Sequence, residues 1–307
     1  MVGLTKKGKV ISAKSDSGVK TLRQLEPGVD TPACTAVSAG AWHVLGITEG
    51  GGLVAWAVSD CEEAKASVAP FIPIPVGAMP IVHMGGGALA SAATVAVGAP
   101  RRWSFAGASH GRMRVTHASA GTVHSLLALS DGSVYVAGIK ASQRFSRNMG
   151  ISTLYIKDVQ QIKLPVRSKQ VLHAEACGSD LCCVVTDGGV VCWADEQKAY
   201  SSTDRSWSAE YAPVPRHVKE LDKVAIKQIA VSDAYAMCAA LAADGRIFLW
   251  CIKLSEKSWP AAWLNPQVAA VAPGAISIGW SCKDLYVCMP GGSTPADIKL
   301  CAARPEQ

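Results

Sequence analysis

Apolar runs along this chain come in pairs separated by a glycine turn. In ASAGTVHSLLALSDGSVYVAG, residues 118–138, the run Ser125 to Leu129 is followed by Asp131-Gly132 and then by Val134 to Ala137. An apolar pair around Asp-Gly predicts a β-hairpin, because the glycine accepts the positive φ that a tight turn requires. The same grammar returns at 37–57, 174–194 and 229–251. Each copy has a small residue at a first turn (Gly40, Gly121, Gly178, Ser232), an apolar strand, a glycine turn (Gly51, Gly132, Gly188, Gly245), and a second apolar strand ending at an aromatic. Weaker copies span 81–107, with Gly86 and Gly98 in those roles, and 276–301, with Gly279 and Gly291. A fragment at 1–20 carries a turn at Gly8 without its leading half.

Sheet units of this size cannot bury both faces alone, so they must stack side by side, and closure into a ring leaves only short edges. The expected architecture is therefore all-β: residues 1–307 as a single β-propeller. Seven blades are expected, with an irregular or partial terminal blade. Six is the alternative, and the choice turns on whether residues 1–20 complete a blade with strands from the C-terminus. Trp56, Trp103, Trp193 and Trp250 follow the turn glycines by a similar interval. Their rings are expected to wedge neighbouring sheets at a constant separation.

The pattern G-x-x-H, apolar strand, D-G-x-V, best seen at Gly40 to His43 and at Gly121 to His124 with Asp131-Gly132 and Val134, resembles the regulator of chromosome condensation repeat family. Leu89, Leu181, Tyr235 and Cys282 stand where the other units would carry histidine, which marks a divergent member. The resemblance implies a propeller, but it spans several functions: exchange factors for small GTPases, chromatin or ubiquitin-ligase modules, and structural subunits of assemblies. Fold alone does not choose among them. The family's exchange factor uses a protruding β-wedge, and nothing in this sequence identifies that insertion.

Composition narrows the class. Nearly half the 307 residues are apolar (49%), 18% are charged and the net charge is +6, as in a globular chain with a substantial core. The 11 cysteines are scattered through apolar runs, with no CxxC pair and no histidine at ligand spacing. They read as small buried side chains in an intracellular, reducing compartment such as cytoplasm, cytoskeleton or nucleus, with no metal and no cofactor expected. Lys6, Lys7, Lys9 and Lys14, with only Asp16 as an acid before Glu26, keep a mitochondrial address open. Residues 67–100 carry no Asp, Glu, Lys or Arg, but Pro70, Pro73, Pro75, Pro80 and Gly85 to Gly87 would break a spanning helix, so no membrane span is expected.

Two motifs imitate chemistry. Gly107-Ala-Ser109-His-Gly111 matches a nucleophile elbow, but no helix-forming segment follows it. Gly85-x-Gly87-x-x-Ala90 imitates a dinucleotide fingerprint, but no acid lies between Glu63 and Asp131 to hold a ribose. Both read as connections between repeats, and no catalytic residue is assigned. The histidines are dispersed, and His43 and His124, at the repeat position, are expected to bond backbone groups at the turns. Charge says more. Residues 140–169 hold Lys140, Arg144, Arg147, Lys157, Lys163, Arg167 and Lys169 against Asp158, and residues 101–114 add Arg101, Arg102, Arg112 and Arg114. Like charges retained close together in connecting loops point to an anionic partner: an acidic protein surface or nucleic acid. The sequence thus favours a non-catalytic scaffold that binds proteins within a larger assembly. A small-GTPase exchange factor and chromatin or RNA association are the alternatives.

Overall fold

A computed structural model describes residues 2–5, 7–16, 19–24, 33–41, 43–57, 101–103, 114–122, 124–139, 155–178, 181–194, 213–232, 236–252, 264–281, 284–290 and 300–301. Apart from one 3-10 turn at Lys219–Leu221, the regular elements there are strands. They form six antiparallel sheets, each running up and down in chain order. The first sheet comprises β1 (Val2–Leu4), β2 (Val10–Asp16) and β3 (Val19–Gln24). The second holds β4 (Cys34–Ala39), β5 (His43–Thr48), β6 (Leu53–Ala57) and β7 (Arg101–Trp103). The third holds β8 (Val115–Ala120), β9 (His124–Leu129), β10 (Val134–Ile139) and β11 (Tyr155–Ile162). The fourth holds β12 (Val171–Cys177), β13 (Leu181–Thr186), β14 (Gly189–Trp193) and β15 (Arg216–His217). The fifth holds β16 (Ile226–Ser232), β17 (Met237–Ala242), β18 (Arg246–Cys251) and β19 (Gln267–Val271), and the sixth β20 (Ser277–Ser281), β21 (Asp284–Cys288) and β22 (Leu300–Cys301).

The second strands explain why the chain reads as apolar runs rather than as alternation. His43–Thr48, His124–Leu129, Leu181–Thr186 and Met237–Ala242 are buried at every position. Each lies in a sheet covered on both faces, so both rows of side chains are mostly apolar, and the polar residues they hold, such as His43, His124 and Ser125, are buried with them. The core is accordingly divided among the junctions. One cluster joins the first and second sheets (Val10, Val44, Trp56), the next the second and third (Leu45, Leu127), then the third and fourth (Leu126, Trp193), the fourth and fifth (Leu181, Cys238, Trp250), and the fifth and sixth (Met237, Leu285). Trp56, Trp193 and Trp250 each fill the junction with the preceding sheet, and all three are fully buried.

Several expectations change. Trp103 stands elsewhere in the register: residues 101–103 pair with β6 as the outer strand of the second sheet, through Leu53↔Trp103. The second and third sheets pack directly on each other, and the unit expected at 81–107 contributes Arg101–Trp103 to the second as its outer strand. Its residues 81–100 and 104–107 lie outside the described residues. Gly279, expected at a turn, sits inside β20 opposite Tyr286. Turn glycines Gly51, Gly132 and Gly245 do have positive φ, but in the fourth sheet it is Gly189 (φ 129), not Gly188, that takes it.

Candidate functional site

Successive first strands, β4, β8, β12, β16 and β20, lie side by side, and their inner edges enclose a cavity of about 390 Å³ at the centre of the molecule. The G-x-x-H turns set its rim by close backbone approach. A Cβ at Gly40 would overlap the carbonyl oxygen of Gly121, and one at Gly121 would strike the His124 ring and come within 3.0 Å of the Gly178 oxygen. Thr122 N–H donates to that Gly178 oxygen at 2.6 Å. These glycines are therefore required by contact between sheets; neither Gly40 nor Gly121 has a positive φ.

Side chains latch each first strand to the next. Ser38 Oγ accepts the Ala120 N–H at 2.9 Å, and Ser119 Oγ accepts the Ala176 N–H at 2.8 Å. Between the fifth and sixth sheets Gln228 does the same in both directions, accepting from Ile278 N–H at 2.9 Å and donating to its carbonyl at 3.0 Å. Trp280 Nε1–H donates to the Ala230 carbonyl at 3.1 Å. The motif histidines latch the second strands, to side chains and not to the expected turn backbone. His43 Nε2 meets Ser125 Oγ at 2.7 Å, and His124 Nε2 meets Cys182 Sγ at 3.3 Å. Burial, with His124 nearby, lowers the His43 pKa to about 3, so this ring is a neutral hydrogen-bonding group throughout the physiological range.

One latch position is filled differently. By strand register Ser38 (opposite Leu45) and Ser119 (opposite Leu126) correspond to Glu175, opposite Cys183. Glu175 lines the cavity, and loss of hydration there pushes its carboxyl up to about 7. His173 Nε2 lies 3.9 Å from Glu175 Oε2, too far for a hydrogen bond, and burial lowers its pKa to about 4. Sequence reading missed Glu175. The turn after β12 separates Ala176 from its partner Cys182 by one residue more than Ala120 from Ser125, so a gap-free comparison aligns Glu175 with nothing informative.

The basic residues divide. Arg114, Lys163, Arg167 and Lys169 are exposed and collect at the opposite rim, where the glycine turns lie. Arg114 precedes β8, with its N–H on Ser130 Oγ (3.2 Å) and its carbonyl accepting the Ser130 N–H (2.8 Å). The Gly132 turn sits against the Lys169 backbone, and the Gly188 turn against the Arg167 carbonyl. Two acids of this rim are occupied: Asp187 accepts from Ser168 Oγ (2.9 Å) and the backbone N–H groups of Lys169 (3.0 Å) and Gln170 (3.2 Å), which hold its carboxyl below the usual range. Asp131 accepts from the Ser133 N–H and hydroxyl. Among the described residues no ion pair includes any of the four cations. Arg101 and Arg102 fall on strand β7, pairing with Ala55 and Val54. Arg112, Lys140, Arg144 and Arg147 lie outside the described residues, as do Ser109 and the Gly85 to Ala90 stretch.

Side-by-side four-stranded sheets around a central cavity define the architecture. The chain is a β-propeller. Among solved structures it is similar to human WBSCR16 (TM-score 0.50, 18% identity, covering 83% of this chain) and to Prp20p of Saccharomyces cerevisiae, the yeast RCC1 (TM-score 0.57, 14% identity, 95% of this chain). It spans 59% of the WBSCR16 chain and 68% of the Prp20p chain. No protein-family model and no curated protein sequence matches it. At these identities the likeness shows the propeller fold and leaves activity to the site. Among the described residues no group of side chains suits a metal ion, no helix is long and apolar enough to cross a membrane, and Cys183, Cys192, Cys238, Cys251 and Cys288 are free thiols.

Proposed function

We propose that this chain is a non-catalytic, protein-binding propeller that serves as a scaffold subunit of a larger intracellular assembly and engages an acidic partner surface through its turn-end rim. The observation that carries the reading is the set of exposed cations Arg114, Lys163, Arg167 and Lys169, none in an ion pair among the described residues, with the backbones of Arg114, Arg167 and Lys169 set against neighbouring turns. Holding like charges together on an ordered rim raises the local potential, which speeds association with an anionic surface and rejects a cationic one. The fifth sheet offers a contrast: its turn-end Arg246 is neutralised by Asp244 at 2.7 Å and stacks on Phe248.

The test is affinity capture with the full chain and with a variant carrying R114E, R167E and K169E. These side chains are exposed, so thermal stability should change by no more than about 0.5 kcal/mol per site. A scaffold captures protein partners at fixed stoichiometry, and the variant loses them. Two outcomes would replace the reading. Acceleration of labelled-nucleotide release from a small GTPase by catalytic amounts of the chain indicates an exchange factor, for which Prp20p, described as binding Gsp1p and histones, is the structural precedent. Binding to nucleic acid that weakens steeply with salt, with a slope reduced in the variant, indicates chromatin or RNA association.

A further inference from the structure

The central cavity lies at the other end of the first strands from the basic rim and has the opposite charge character. Its wall is lined largely by small residues, among them Gly40, Gly121, Gly178 and Gly279, which leave the space open, with the Trp280 indole and the Thr122 hydroxyl contributing to the lining. Glu175 is the ionisable acid of that lining, and no Lys or Arg is among the described residues that form it. The second and third sheets use serine at this register to latch the next strand; here a carboxylate stands without a hydrogen bond among the described residues. A latch serine would serve the fold better, since a carboxylate partly stripped of water is destabilising unless something pairs with it. Local losses of this kind are expected where a binding group is needed.

We propose that the central cavity binds a single organic cation, an ammonium or guanidinium group, with Glu175 as its counter-ion. The volume, about 390 Å³, accommodates a small ligand or one inserted side chain. The indole can contribute a cation–π contact beside the ion pair. Two sources share this chemistry: a free amine, or the Lys or Arg side chain of a partner protein. The other titratable groups around the carboxyl are His173 and Cys177 on its own strand, Cys183 directly opposite it on β13, His117 on β8 and Cys238 on β17. Burial holds His173 at about 4 and pushes Cys238 well above its ordinary value, so these two stay neutral between pH 6 and 8, and burial likewise lowers His117.

Calorimetric titration of the full chain with n-butylguanidinium and n-butylammonium chloride tests the site. Saturable binding is expected, about tenfold tighter at pH 8 than at pH 6, because a carboxyl titrating at about 7 is mostly ionised at the first and mostly protonated at the second. Glu175→Gln should abolish it, the uncharged n-butanol should not bind, and the rim variant R114E/R167E/K169E should bind normally, which separates this site from the proposed partner surface. Equal affinity for a capped Arg-containing tetrapeptide assigns the source to a partner's side chain; binding of the free cations alone assigns it to a small amine. Glu175→Ser, which restores the latch, should fold, melt at a higher temperature at pH 8 and bind neither cation. Absence of saturation by wild type, pH-independent affinity, or undiminished binding by Glu175→Gln would overturn the proposal.

Discussion

The junction between the second and third sheets and that between the fourth and fifth solve one packing problem in two ways. At the first, His43 reaches Ser125 across the interface at 2.7 Å, and Ala137 stands opposite Ser125. At the second, the equivalent residues are Leu181, Cys238 and Trp250, packed within one cluster, with Trp250 opposite Cys238. The junction between them is intermediate, since His124 meets Cys182 at 3.3 Å while Trp193 supplies the indole. The propeller thus needs a filled contact at this place and accepts either a satisfied polar pair or an apolar one.

The apolar junction should yield most to truncation. Trp250→Ala removes a fully buried indole and should lower stability by about 3–5 kcal/mol in denaturant unfolding; a loss near 1 kcal/mol would mean that the fourth and fifth sheets do not rely on it. Next comes the glycine contact beside the polar junction. Gly121→Ala drives a methyl group into the His124 ring and should cost about 1–3 kcal/mol, whereas alanine at Gly279, with open space around it, should be nearly silent. Ser125→Ala, which strands His43 Nε2, should cost about 1–3 kcal/mol, while the double change H43L/S125C, copying the Leu181–Cys238 pair, should recover most of that loss. A double mutant as unstable as the single would show that the two junctions are not interchangeable.

The two regions should also weaken at opposite ends of the pH scale. His43 titrates at about 3 when folded against an ordinary 6.5, so the unfolded chain binds the proton more readily and stability falls as pH drops below about 6.5 toward 3. Glu175 is raised from 4.5 to about 7, so its contribution has the other sign: stability falls as pH climbs from about 4.5 to 7 and then levels. Melting temperatures across pH 3–9 should show the acid limb shrink in H43L and the neutral limb flatten in Glu175→Gln. If both variants keep the wild-type profile, other groups control it.

Much of this was readable in advance for a definite reason. Strand pairs around Asp131-Gly132 or Asp244-Gly245 depend on local turn geometry and on burial at every position, which leave marks within a few residues. Arg114, Arg167 and Lys169 were visible because charge clusters in sequence when it sits in one loop. Glu175 was not, since its importance lies in register with Ser38 and Ser119 on other sheets, and the longer turn after Cys177 hides that correspondence. Trp103 misled for a related reason: an aromatic near a glycine looks alike on a third strand and on an outer strand, and only its pairing with Leu53 separates them.

By itself, then, the chain's pattern of runs and turns determined an all-β repeat built from hairpins, because hairpin geometry and the burial of both sheet faces are local and periodic. Only the tertiary structure decided which sheets touch, why Gly40 and Gly121 admit no side chain, and where a lone carboxylate meets the central cavity. Those depend on atoms tens of residues apart approaching to contact distance, and no local pattern encodes that approach.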